Sequence, residues 1–323
     1  MRGRILMLAC LTGLLVGAVV GPAQAVNRFS EYPLQFAANP QRIVTGPDGA
    51  LWFTESGGNN IGRITTHGAI TEFPVPTASS YPYGIAVGPD GNLWFAEFNA
   101  SAVGRITTDG TITEFPVPTP LSAPEDIALG PDGNLWFTEW GVSKIGRITT
   151  SGAVTEFDIP TAASNPAGIT AGPDGNLWFV EYDGNKIGRI TTAGAITEFP
   201  VPTAEGSPFG ITAGPDGNLW FTEYIGNNIG RITTGGTITE FSTATGNPAG
   251  ITMGPDRALW FTSYADSRIG RITVQGAIRE FPLPTADSSP LGITSGPDHR
   301  VWFVELTAAN VGAIRLTRPP PSS

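Results

Sequence analysis

One sentence is written seven times along this chain. A Trp followed by Phe occurs at Trp52, Trp94, Trp136, Trp178, Trp220, Trp260 and Trp302, at spacings of 42, 42, 42, 42, 40 and 42 residues. A repeat of about 40 residues is one supersecondary unit that cannot bury its apolar face alone and must stack on copies of itself. One unit reads "PFGITAGPDGNLWFTEYIGNNIGRITTGGTITEFSTA" (208–244). "GITAG" is a short apolar run, and "PDGN" is a turn in which Pro presets φ and Gly accepts φ > 0. "LWFTE" is aromatic and β-branched, as strands are. "IGRIT" and "ITEF" follow, joined by a turn. No stretch has helical periodicity, and Gly (42) and Pro (29) make up over a fifth of the chain, as in turn-rich all-β proteins. The pattern predicts an all-β fold: a seven-bladed β-propeller of four-stranded antiparallel blades over residues 26–317, with 318–323 a disordered tail. The seventh unit stops after its third strand, while "SEYPLQF" (30–36) matches the outer-strand pattern "TEFPVPT" (71–77). An N-terminal strand is therefore expected to complete the last blade and remove both open edges.

Turn pairs such as Asp109-Gly110 and Ser151-Gly152 suit two-residue hairpins. That register sets Arg63 opposite Glu72 and predicts a cross-strand ladder: Arg105–Glu114, Arg147–Glu156, Arg189–Glu198, Arg231–Glu240 and Arg271–Glu280. In the seventh blade Ala313 replaces the arginine and leaves Glu31 without that partner. The Asp of "GPDG" recurs in every unit and reads as a turn residue rather than a calcium ligand.

Residues 1–25 read as a secretory signal peptide: Arg2 and Arg4, an apolar run from Ile5 to Val20, then "AQA" before a cut at Ala25. Cleavage would place the protein in the extracellular space or periplasm, take the formal charge from −10 to −12 and remove the only cysteine. Stability must then come from packing, without disulfides. The acidic balance argues against nucleic acid and anionic membranes as partners. No membrane span is expected, and the chain reads as a monomer. No metal-ligand spacing, nucleophile elbow, phosphate loop or basic patch is present in the sequence, so no cofactor is evident from the residues.

Departures from the repeat point to function. The two residues after the Pro that opens each innermost strand should border the pore: Gln41-Arg42, Tyr83-Gly84, Glu125-Asp126, Ala167-Gly168, Phe209-Gly210, Ala249-Gly250 and Leu291-Gly292. Arg42, Tyr83, Glu125 and Asp126 lie on adjacent blades and could converge on one ligand, with Phe209 on the same ring. The loop after each Trp strand reaches the same mouth and brings Trp140, Tyr182 and Tyr224, beside a ring of glutamates ending in Glu305. That glutamate ring reads first as packing. A small molecule, saccharide or peptide at the mouth is the expected partner.

"GPDGNLWFTE…NNIGRITT.G.ITEFPVPT" resembles the repeat of the streptogramin B lyases (virginiamycin B lyases) over the whole mature chain. The resemblance implies the propeller, and an activity: opening a cyclic depsipeptide ester by elimination, without water, using Mg²⁺. It also implies a His just after the Pro of the "P-x-G/A-I" motif in each of the last two blades, assisted by a Glu for which Glu305 is the nearest match. Here the two His positions hold Ala249 and Leu291, and neither accepts a proton. His67 and His299, the only histidines, fall in turns at the other end of the strands. The expectation is a ligand-binding propeller with streptogramin lyase activity doubtful. The alternatives are a lyase acting on a cyclic depsipeptide or an acidic saccharide or peptide, with Tyr83 as base and Arg42 neutralising a carboxylate, and a purely structural module.

Overall fold

A computed structural model describes residues 28–316, apart from Phe36 and Thr245. The signal peptide expected at 1–25 and the tail expected at 318–323 lie outside the described residues. Among the described residues, twenty-eight strands form seven four-stranded antiparallel sheets. In the first blade the strands run Pro40–Thr45, Leu51–Glu55, Asn60–Ile64 and Ile70–Pro74, from the pore outward. The seventh blade pairs Pro290–Ser295, Arg300–Glu305 and Asn310–Arg315 with the N-terminal strand Phe29–Pro33, so the ring is closed as the repeat predicts.

Seven apolar cores lie between blades rather than within them. One packs Trp52, Ile61 and Val75 of the first blade against Ile85, Leu93, Phe95 and Ile106 of the second. Each Trp of the Trp-Phe strands but Trp302 stacks on the Phe of its own outer strand, as Trp52 does on Phe73 at 5.6 Å; on Trp302, Tyr32 of the N-terminal strand takes that place. The repeated Asp of "GPDG" explains the indole: Asp48 Oδ1 accepts the Trp52 Nε1 hydrogen bond at 3.0 Å, and all seven units repeat this bond. The turn residue thus also satisfies the one polar atom of a buried indole.

The arginine–glutamate ladder is not formed. Arg63 lies opposite Thr71, and Glu72 lies opposite Gly62. The hairpin has three loop residues, not two: Gly68 N–H donates to Thr65 C=O and Thr65 N–H donates to Ala69 C=O, both at 2.9 Å. A type I turn followed by a left-handed Gly68 (φ 91°) adds one residue and shifts the register by one. Arg147 instead lies over Trp136 and Phe157, at 5.5 and 5.7 Å, and donates to the Thr192 carbonyl of the next blade at 3.2 Å. Where Ala313 breaks the series, Arg300 takes over from the neighbouring strand. It lies 4.7 Å from Trp302, pairs with Asp298 at 2.6 Å and donates to the Thr66 carbonyl of the first blade.

The outer-strand glutamates staple blades together. Glu114 accepts from the N–H and hydroxyl of Thr77 on the preceding blade, at 3.0 and 3.1 Å. Glu31, expected to lack its partner, makes the same two bonds to Thr285 at 3.3 and 2.9 Å and so helps close the ring.

Candidate functional site

Every innermost strand carries a bulge between its opening Pro and the Ile three residues on, as between Pro82 and Ile85. Bulges re-aim side chains. These place the variable residue of "P-x-G-I" at the pore mouth, and the following Gly lies against the next blade. A Cβ on Gly84 would sit 2.6 Å from the Asp126 Cα, and one on Gly250 would sit 2.2 Å from the Leu291 carbonyl oxygen. Arg42 and Asp126 are the two side chains that stand where the other five blades keep glycine.

The residue before each Pro is left-handed, with φ between 47° and 58°. Its carbonyl accepts the N–H of the first residue after the Trp strand, at 3.0–3.2 Å in all seven blades. Those N–H groups belong to Phe98, Trp140, Tyr182, Tyr224 and Tyr264, as well as Ser56 and Leu306, so backbone geometry fixes the rim aromatics. Tyr81 holds this strained position where other units have Asn, Ser or Ala.

Arg42 crosses the pore. Its guanidinium lies 5.2 Å from the ring centre of Tyr83 on the second blade and 4.9 Å from that of Phe209 on the fifth. Its Nη2 is 3.7 Å from Glu125 Oε1, with 12% and 3% of the two side chains exposed. Asp126 Oδ2 accepts the Ile169 N–H at 3.2 Å. Burial raises the Glu125 carboxyl to about 8 against the pull of Arg42, and raises Asp126 too. A buried cluster of one guanidinium and two acids therefore retains a proton, because two ionised acids would leave excess charge away from water. Burial also holds the Tyr83 phenol proton on. Arg42 Nη1 and Glu125 Oε2 are buried without a hydrogen-bond partner.

This plug divides the channel. Below it lies a cavity of about 260 Å³ floored by the innermost strands. Above it an aromatic cup of about 390 Å³ includes Tyr81, Tyr83, Trp140, Tyr182, Phe209 and Tyr224. One arc of rings runs Trp140–Tyr182–Phe209–Tyr224–Tyr264 at 5.5–6.2 Å, and Tyr81, Tyr83 and Phe98 form a second. Arg42 bridges the two.

The structure thus brings together Arg42, Tyr83, Glu125, Asp126, Phe209, Trp140, Tyr182 and Tyr224. It does not bring Glu305 to them: that side chain is fully buried and accepts from Asn310 Nδ2 at 2.8 Å. The other five Trp-strand glutamates are buried likewise. Burial and the outer-strand glutamate beside each raise Glu97, Glu139 and Glu181 to about 8 and Glu223 and Glu305 to about 7; Glu55, held lower by Asn60, also reaches about 7. Leu291 lines the cup and Ala249 is fully buried. His67 and His299 share a cavity at the opposite face.

A model of the virginiamycin B lyase family matches residues 13–242 and 185–318. A solved streptogramin B lyase is 41% identical, with a TM-score of 0.86 over 90% of this chain and 97% of that one. A catalytically inactive histidine-to-alanine variant of virginiamycin B lyase from Staphylococcus aureus, solved with quinupristin, is 41% identical, with a TM-score of 0.85 over 90% and 99%. The virginiamycin B lyase of Bordetella bronchiseptica is 44% identical over 57 residues, which span 16% of this chain and 18% of that protein.

Proposed function

The chain belongs to the virginiamycin B lyase family, and from that premise we propose that it is a secreted propeller that holds a compact, ring-bearing ligand in its aromatic mouth without opening it. The composition of that mouth carries the reading. Rings from five blades line the cup, and two of them, Tyr83 and Phe209, face the Arg42 guanidinium, while the two positions where the resemblance calls for imidazole hold Ala249 and Leu291. Aromatic faces suit a cyclic peptide or the apolar face of a sugar. The buried, unpartnered Arg42 Nη1 offers a donor to a ligand carbonyl or carboxylate. Secretion is supported by the leader-like residues 1–25 and is tested by N-terminal sequencing of the exported protein, which should begin at Val26.

The donor set of the mouth does not fit Mg²⁺. That ion wants a near-octahedral shell of oxygens. Glu125 and Asp126 face Arg42, which already stands in the place of the cation. Among the described residues no three acidic, His or Cys side chains converge.

A second reading is favoured by Glu125, a buried carboxyl at the mouth with its pKa raised to about 8 and one oxygen unpartnered. That is the range of a useful general base, and it would serve elimination where Tyr83, its proton held by burial, would not.

One titration separates the two. Seven of the eight tryptophans are buried, and Trp140 lines the cup. Quinupristin should quench Trp140 saturably, and Trp140→Phe should abolish the quench. Chromatography of the same mixture should show intact ligand. Ring opening that Glu125→Gln abolishes establishes the second reading.

A further inference from the structure

The face opposite the aromatic mouth carries a concentration of positive charge on a chain of formal charge −10. A groove of about 390 Å³ at the seam of the sixth and seventh blades is lined by Arg28, Arg271, Arg279 and Arg315, with Asp256 as its one acid. An adjoining cavity of about 480 Å³ shares Arg315 and adds Arg300, His67 and His299, with Asp298 as its one acid. Both acids are already committed, Asp256 to Arg271 at 2.7 Å and Asp298 to Arg300 at 2.6 Å. Among the described residues no carboxylate forms an ion pair with Arg28, Arg279 or Arg315.

These arginines are not part of the repeat. Where Arg279 stands, five other blades have threonine, from Thr71 to Thr239. Where Arg315 stands, the six others have threonine, from Thr65 to Thr273. Arg28 occupies an outer-strand position held elsewhere by Ala or Thr. The substitutions create two like-charge cross-strand pairs on adjacent blades, Arg271 opposite Arg279 and Arg300 opposite Arg315. Like charges directly opposite one another destabilise a sheet. Drift would scatter such changes around the ring. Here they gather on one seam, and Arg28 and Arg279 both lie over the Phe281 ring, at 5.6 and 5.5 Å.

We propose that this seam is a binding site for a polyvalent oxyanion, a ligand bearing two or more linked phosphate or sulfate groups, which bridges the guanidiniums and relieves their repulsion. Arginine forks match tetrahedral oxyanions bidentately. Three uncompensated guanidiniums at one groove favour several linked charges over a single one.

The test uses the mature chain and sodium tripolyphosphate at pH 7 in 0.15 M NaCl, read by calorimetry and thermal unfolding. Orthophosphate and ionic-strength-matched NaCl are the controls. Saturable binding should raise Tm by roughly 4–5 °C at about 100 times Kd, and orthophosphate should bind at least about tenfold more weakly. Arg279→Thr with Arg315→Thr restores residues the fold uses elsewhere; it should abolish the response and leave the ligand-free Tm unchanged or higher. An absent shift, the same shift with matched NaCl, or a full response in the double variant would overturn the proposal. So would loss of the response in Arg42→Met with retention in the double variant, because the anion would then sit at the mouth.

Discussion

Arg42→Met removes the one cation from the plug and leaves its acids behind. Glu125 has 3% of its side chain exposed, and the raised pKa of Asp126 marks it as desolvated. Taking one partner from a buried ion pair typically costs about 3–5 kcal/mol. Each lost ring contact, to Tyr83 and to Phe209, adds about 1 kcal/mol. Protonation lets the orphaned acids escape part of this cost. With Arg42 gone, the carboxyl pKa values rise further, so the folded state holds protons that the unfolded chain releases, and stability falls as pH rises. The loss should therefore be about 3–5 kcal/mol at pH 8 and clearly smaller at pH 5, by guanidinium unfolding followed through tryptophan fluorescence. Glu125→Gln in the Arg42→Met background should recover part of the pH 8 loss. An Arg42→Met variant within about 0.5 kcal/mol of the parent at both pH values means the guanidinium is solvated and the pore unplugged.

Three further outcomes follow from the blades. The raised pKa values of the Trp-strand glutamates mean that the fold binds extra protons between about pH 4.5 and 8, so stability should fall through that window, by about 1.4 kcal/mol per pH unit for each retained proton. The "GPDG" aspartates, lowered by their Trp and Asn or Arg hydrogen bonds against the opposing effect of burial, lose their contribution only as pH falls below about 4. Tm should thus be higher at pH 5 than at pH 9, Glu97→Gln should flatten the slope, and a Tm that rises from pH 5 to 9 contradicts the buried pairs. Trp136→Ala, which empties an inter-blade core, should cost about 3–5 kcal/mol, and Arg147→Ala should cost less; the reverse order in urea titrations means the blade interior is misassigned. Deleting residues 26–35 removes the strand that pairs with Asn310–Arg315 and carries the Glu31–Thr285 bonds, so cooperative melting should be lost or aggregation appear, and an unchanged Tm refutes ring closure.

The blade count, the strand order and the closing strand were legible because periodicity reports packing directly. The hairpin register was not. A two-residue and a three-residue loop are both compatible with "TTxG", and the choice moves every side chain to the other face. The arginine ladder failed on that one residue, and with it the reading of Glu31. The mouth was legible from departures after the Pro of each unit, and Tyr81 could have been found the same way, one residue earlier. The basic seam was hidden. Arg28, Arg279 and Arg315 are far apart in sequence, each reads as an isolated change from Thr or Ala, and only ring closure brings the first beside the last. Arg300 was hidden for a related reason: it replaces the missing arginine of the seventh blade from a different strand, so position-by-position comparison showed only the loss.

Quinupristin incubated with the mature protein and Mg²⁺ tests the central claim most directly. Elimination adds no water, so an opened product has the mass of the ligand and must be read by its chromatographic retention and its new double bond. The account predicts saturable quenching of Trp140 with the ligand recovered intact, since Ala249 and Leu291 supply no base. Turnover at a rate near that of an active family member would contradict it.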